Sequence, residues 1–370
     1  MNARHLFAVV LAILLAPAAS AQADEKPVRI GVIEGLTGFA AEDGQNVVRA
    51  VQLAAKELSS NGRSIEVTVE DDQSTPREAV TAYQRLKQKG VDALIVGPYS
   101  FTTEAVIPLA GKDGITILNT SALLESFNTT GDNGFFFNNA ITIAEDVKPF
   151  RHYLENTEMK SAVVLHVPST WGKAQQKAYD EILRTRQVAV LQTIETPAMD
   201  SNNWESLITK IAAAKPDLVV LLLNKNDINL ILRKAAEQNL KAKFFGSKNT
   251  YDAWRLNPQV PAYEGVCFTY PYQQLRANEA FVKKFRAAYA DEPRIFADVS
   301  FDAVSILAQA VRTARKEHRP LPEVLRSAEF KGIAGLYRYA PERSLAVSQS
   351  SEVCVSAGEL LAPFPTITGP

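Results

Sequence analysis

The chain is short of the residues that most often run catalysis. Among 370 residues it has 4 histidines and 2 cysteines. Cys267 and Cys354 have no cysteine or histidine at metal-ligand spacing, so no metal site is expected. No G-x-S-x-G elbow, Walker loop, H-E-x-x-H or G-x-G-x-x-G occurs. Charge of one sign is lacking too. Lys and Arg total 40 against 41 Asp and Glu, a net of −1, which argues against a nucleic-acid binder. With 18 Gly, 19 Pro and 2 Cys, collagen-like, low-complexity and disulfide-scaffold classes are excluded. Long hydrophobic runs are missing as well. Leu6–Ala16 is apolar for 11 residues, whereas a membrane span needs about 20. Nothing later approaches that length.

What is present suits a globular, exported protein. Apolar residues make up 46%, enough for a core, and the length suggests two domains. Residues 1–23 read as a signal peptide. Arg4 and His5 form a basic start, Leu6–Ala16 the apolar stretch, and Ala19-Ser20-Ala21 and Ala21-Gln22-Ala23 are small-x-small cleavage sites. Cleavage is expected after Ala21 or Ala23, placing the mature protein in the periplasm. Export permits disulfides, but nothing local shows that Cys267 and Cys354 meet. Two buried free thiols is the plainer reading, and a bridge the alternative.

Strand and helix alternate twice along the chain. Val28–Ile33, Ile65–Glu70, Ala93–Val96 and Ile115–Leu118 read as strands, with helices over about 44–59 and after Thr75. Thr75-Pro76-Arg77-Glu78 is a capping box with proline in the first turn, and Gly90 stops that helix. The rhythm restarts with Ala162–Val167, Val188–Ile194, Leu218–Leu223 and Lys243–Phe245. Such continuous apolar runs suit parallel sheets covered on both faces. The fold expected is α/β, two doubly wound parallel-sheet lobes. Helices near 278–290 and 296–317 follow, then a tail of short strands and turns.

Ligands of such sheets bind outside the carboxyl ends of the strands. The segments there, such as Gly97–Thr103, Asn119–Leu123, Pro168–Gly172, Asn224–Asp227 and Gly246–Asn249, carry hydroxyls, amides and aromatics and few carboxylates. Asp71-Asp72 reads as the solvated end of a strand, and His166 as a core histidine. No catalytic residue and no cofactor are nominated.

The collinear series Arg29-Ile-Gly-Val-Ile-Glu-Gly-Leu-Thr-Gly38, Val69-Glu-Asp-Asp-Gln-Ser-Thr-Pro76 and Val96-Gly-Pro-Tyr-Ser100 resembles the periplasmic leucine/isoleucine/valine-type (type 1) substrate-binding proteins of ABC transporters. Trp171-Gly172, at a usual Tyr-Gly position, and Ile231–Ala235 followed by Phe245-Gly246 agree in order. The resemblance implies a hinge of three crossovers. It implies lobe one over 27–140 plus 274–331, and lobe two over 141–273 plus 332–370. It also implies a non-enzymatic, monomeric protein that hands a small-molecule ligand to a membrane ABC permease.

The same resemblance assigns a ligand site. Ser100 and Ser121 fall where the family holds a carboxylate, and Ser100 stands at the start of a helix whose free N–H groups favour an anion, simple capping by Ser100 or Thr102 being the alternative. The family's ammonium-binding positions match Leu123, which accepts no hydrogen bond, and Lys248, which would repel an ammonium. Tyr99, Phe101, Trp171 and Asn224 are the remaining pocket candidates. Trp171 stacks on a flat ligand or anchors its own lobe. Lys248 pairs a second polar group or is an exposed loop lysine. The ligand implied is a small carboxylate without an ammonium, aromatic or keto. A branched-chain amino acid, an amide or urea, or a sensory role are the alternatives.

Overall fold

The computed structural model describes residues 25–59, 63–97, 99–120, 132–140, 143–196, 204–257, 260–271, 279–339, 346–347 and 350–361. The proposed signal peptide, Ser121 and Leu123 lie outside them. The first half runs β1 (Glu25–Glu34), α1 (Ala41–Leu58), β2 (Arg63–Asp71), α2 (Pro76–Gln88), β3 (Ala93–Val96), α3 (Ser100–Asp113), β4 (Thr116–Asn119) and β5 (Phe136–Asn138). Thr75 caps α2 as its capping box requires, its hydroxyl accepting from Glu78 N at 3.3 Å. Gly90, at φ +68°, takes the left-handed turn after it.

These strands form one parallel sheet in the order β2-β1-β3-β4-β5. Both faces are covered, so β3 and β4 are buried at every position instead of alternating in and out. The order places a topological switch point between β1 and β3, where the chain leaves the sheet in opposite directions.

The second half repeats the scheme. It runs α4 (Ile143–Asp146), α5 (Lys148–Glu155), β6 (Ser161–His166), α6 (Thr170–Thr185), β7 (Ala189–Glu195), α7 (Trp204–Ala214), β8 (Leu218–Leu222), α8 (Lys225–Glu237), β9 (Lys243–Gly246), α9 (Asn249–Leu256) and β10 (Cys267–Pro271). Its parallel strands are ordered β7-β6-β8-β9-β10, with a second switch point between β6 and β8. Then come α10 (Glu279–Tyr289), α11 (Ala297–Glu317), α12 (Leu321–Ser327), β11 (Glu329–Lys331), β12 (Leu336–Arg338), β13 (Ala346–Val347), β14 (Ser350–Ser356) and β15 (Glu359–Leu361).

The tail divides differently from the expected boundary. Ala334, Tyr337 and Tyr339 are buried in the first lobe's core with α11, rather than in lobe two. Asp302 of α11 fixes them there. Its carboxylate accepts from Ile333 N, Ala334 N and the Tyr337 hydroxyl at 2.7–2.8 Å. Of the described tail, β14 and β15 join the second sheet, each by antiparallel pairing with its neighbour. The chain therefore passes between the lobes near Asn139, between 271 and 279, and between 347 and 350.

The free-thiol reading of the cysteines is overturned. Cys267 on β10 and Cys354 on β14 face each other in register and form a disulfide. The solvated reading of Asp72 also fails. It is buried, because it holds the turn after β2, accepting from Ser74 N at 2.7 Å.

Candidate functional site

A cleft of about 400 Å³, partly open to solvent, lies between the carboxyl ends of the two sheets. Its lobe-one wall begins in the loop after β1. Asp71 holds that loop by accepting from Leu36 N at 2.8 Å and the Thr37 hydroxyl at 2.7 Å. Ser74 donates to Thr37 O and accepts from Ala40 N. These bonds set the left-handed turn at Gly38. The next residue, Phe39, is 41% exposed, large for an apolar ring.

Phe39 is one of three clustered aromatics. Its ring centroid is 4.8 Å from that of Tyr99 and 5.7 Å from that of Phe101, and Tyr99 and Phe101 stack at 5.9 Å. The Tyr99 hydroxyl donates to Asp43 at 3.2 Å. Burial, then Asp43, raise that phenol well above its ordinary pKa, so it stays a donor. Ser100 follows as the first residue of α3 and is buried.

The lobe-two wall comes from the first turns of α8 and α9. Asn224, Lys225, Asn249 and Asp252 line it. Lys225 reaches across the cleft, donating to Glu42 at 2.5 Å and standing 3.5 Å from Asp43. Arg294 also pairs with Glu42. Burial alone would raise the Glu42 carboxyl, but Arg294 and Lys225 outweigh it and hold it down at about 2. Asp252 is pushed up to about 6 by burial and by Asp43.

Lys248 is not an exposed loop residue. It is 3% exposed, and its ammonium sits 3.9 Å from the centre of the Phe296 ring. That ammonium makes no hydrogen bond or ion pair among the described residues. Burial pulls the ammonium down to about 8, against the more distant Asp146, Asp252, Asp43 and Asp298. Phe296 packs against the cores of both lobes and holds φ +74°, uncommon for a bulky side chain.

Of the residues nominated from sequence, Tyr99 and Asn224 line the cleft, Phe101 stacks on Tyr99, and Ser100 lies beside them in the chain. Trp171 packs half-buried against both cores of lobe two, the anchoring role weighed for it. Sequence reasoning missed Phe39, Asp43, Lys225, Asp252 and Phe296. Phe39 and Lys225 stand in post-strand segments, which is a usable signal. Asp43 and Asp252 sit inside helices, where acidic residues read as solvated.

One further group lies beneath the wall. Glu34, at the carboxyl end of β1, is fully buried, and neither oxygen accepts a hydrogen bond among the described residues. Burial, then Asp72 and Asp43, raise its pKa well above the ordinary value, which favours the neutral acid.

Comparison with known proteins places this geometry. The family model described as "Periplasmic binding protein" matches residues 27–350. A leucine-, isoleucine-, valine-, threonine- and alanine-binding protein of Pseudomonas aeruginosa is 22% identical over 320 residues, covering 83% of this chain and 84% of that protein. A solute-binding protein of an ABC transporter from Rhodopseudomonas palustris BisB5, solved with 3,4-dihydroxybenzoic acid, superposes with a TM-score of 0.80 at 19% identity. The match covers 93% of this chain and 99% of that one. A second R. palustris solute-binding protein, solved with benzoate, gives 0.78 at 21% identity, covering 91% and 95%. No helix among the described residues is long and apolar enough to cross a membrane. The chain belongs to the periplasmic binding protein family, in the type 1 branch that contains the Leu/Ile/Val-binding proteins of ABC transporters.

Proposed function

We propose that this protein captures a small organic carboxylate, aromatic or keto, for an ABC permease, and that it does not bind α-amino acids. The observation that carries this reading is Lys248, a buried cation next in the chain to the cleft-lining Asn249, with no carboxylate in contact among the described residues. An ammonium ligand beside it would add like charge in a dry site, at a cost of several kcal/mol. A carboxylate ligand would supply the missing counter-ion. Ser100 and the opening turn of α3 offer a second anion-holding point. Ser121 and Leu123 complete the site in this reading, with Trp171 beside it. The aromatics Phe39, Tyr99 and Phe101 suit a flat ligand. The ligands in the two R. palustris proteins support the same class.

In this reading the lobes close over the ligand as a population shift, and the closed form is what the permease engages. The protein works as a periplasmic monomer and performs no reaction. A second reading, amino-acid binding, is favoured by the name of the P. aeruginosa relative.

A thermal-shift screen of the mature protein separates the two. It compares leucine and valine with benzoates, 2-keto acids and simple amides. A ligand at 100 times its Kd adds about 2.7 kcal/mol of stability. Carboxylates lacking an amino group should stabilise the protein, and Lys248→Met should abolish that gain. Best stabilisation by leucine or valine would refute the reading.

A further inference from the structure

The wall of the cleft is rich in acceptors. Asp252 lines the cleft and is only 4% exposed, yet its Oδ1 accepts no hydrogen bond among the described residues. Arg255 Nε stands 3.5 Å from that oxygen, without the geometry of a hydrogen bond. Asn249 donates its amide N–H to Leu223 O at 3.0 Å, so its own carbonyl is left to accept. Asp43, on the facing lobe, accepts among the described residues from one hydroxyl, that of Tyr99, and from Lys225 at the 3.5 Å limit. A buried acceptor such as Asp252 Oδ1, facing a cavity, is normally satisfied by something.

The donor they lack is uncharged. Glu42, Asp43 and Asp252 are already faced by Lys225, Arg294 and Arg255. Those charges balance within the wall. A ligand ammonium would therefore add a positive charge to a wall whose own charges already balance. A hydroxyl supplies the hydrogen without the charge.

We propose that Asp252, Asp43 and Asn249 form a hydroxyl-reading subsite, so that the ligand carries an alcohol or phenol hydroxyl at the end away from its carboxylate. The subsite draws its acceptors from both lobes, so recognition of the hydroxyl and closure of the cleft are coupled. The carboxylate half of this ligand rests on the function proposed above; the hydroxyl half rests on the wall alone.

Titration calorimetry with benzoate, 4-hydroxybenzoate, 3,4-dihydroxybenzoate, 4-(aminomethyl)benzoate and catechol tests it. A hydrogen bond to a charged acceptor corresponds to about a ten- to hundred-fold gain in affinity. The hydroxylated acids should exceed benzoate by that factor. In Asp252→Asn and in Asn249→Ala, the ratio of hydroxylated to parent affinity should fall toward unity. Each ratio is internal to one folded variant, so loss of stability cannot mimic it. Equal affinity of benzoate and its hydroxylated forms on the unaltered protein overturns the subsite. Tighter binding of the aminomethyl acid than of the hydroxyl acids also overturns it. Binding of catechol with no acid bound keeps the subsite and removes the carboxylate reading. Binding of no hydroxylated probe overturns it outright.

Discussion

Replacing Cys267 and Cys354 together by alanine opens a covalent loop spanning 87 residues. The two residues face each other across β10 and β14, so the bridge fixes a pairing that the sheet already makes. Its effect therefore falls mainly on the unfolded chain. Chain-entropy arithmetic for a loop of this length gives about 4–5 kcal/mol at 25 °C. The loop contains α10, α11 and α12, and it passes through the other lobe before returning. Its closure thus restrains most of the last third of the chain. At about 2–4 °C per kcal/mol for units of this size, the melting temperature should fall by about 10–15 °C. Scanning calorimetry on the oxidised protein, the protein treated with a dithiol reductant, and the double-alanine variant measures this. The reduced and variant proteins should melt together, well below the oxidised one. A double variant melting within about 3 °C of the parent would refute the reasoning, because the bridge would then add little restraint to the unfolded chain.

Two more outcomes follow from the charges. Asp72, Asp252 and Asp302 are each pushed up to about 6, chiefly by burial, above about 3.9 for an unfolded aspartate. The folded state binds their protons more tightly, so their contribution is full below about pH 4 and is lost as pH rises through 6. Glu42, held at about 2, works in the opposite sense but only below about pH 4.5. Calorimetry should show a higher melting temperature at pH 5 than at pH 7.5, with a smaller difference in Asp302→Asn; no difference would contradict the assignment. Lys225→Met removes the clasp from lobe two to Glu42 and Asp43. Ligand affinity should fall by up to about fivefold, as expected for a partly exposed ion pair, and lose much of its salt dependence. Unchanged affinity at low and high salt would show that the clasp does not aid closure.

Much of the architecture was legible because local rules and the core agreed. The capping box at Thr75 and the apolar runs of β3, β6 and β8 specify their elements without tertiary help. The post-strand segments named Tyr99 and Asn224, since the switch point of a parallel sheet is a topological consequence of strand order. What stayed hidden depends on residues distant in sequence. Cys354 meets Cys267 only because an antiparallel strand returns from the other lobe. Lys248 sits against the ring of Phe296, which comes from the segment before α11, far along the chain. Tyr337 and Tyr339 join the first core because Asp302 binds the turn ahead of them. Asp43 and Asp252 became site residues only when two lobes were set face to face.

The late return of β14 also sets an order on assembly. Residues 350–361 supply the last two strands of a sheet whose other five are complete by residue 271. During export the chain emerges progressively, and domains tend to fold as they appear. The first lobe must wait for α11 to cover its sheet, since the α1 face of its core is shared with that helix. The second must leave the edge of β10, with Cys267 on it, unpaired until β14 arrives. For that interval the thiol stands at an open sheet edge within reach of an oxidase or of another chain's cysteine. The protein is committed only when its final strands dock, so truncation within them should yield mixed disulfides rather than a shortened but intact binding protein.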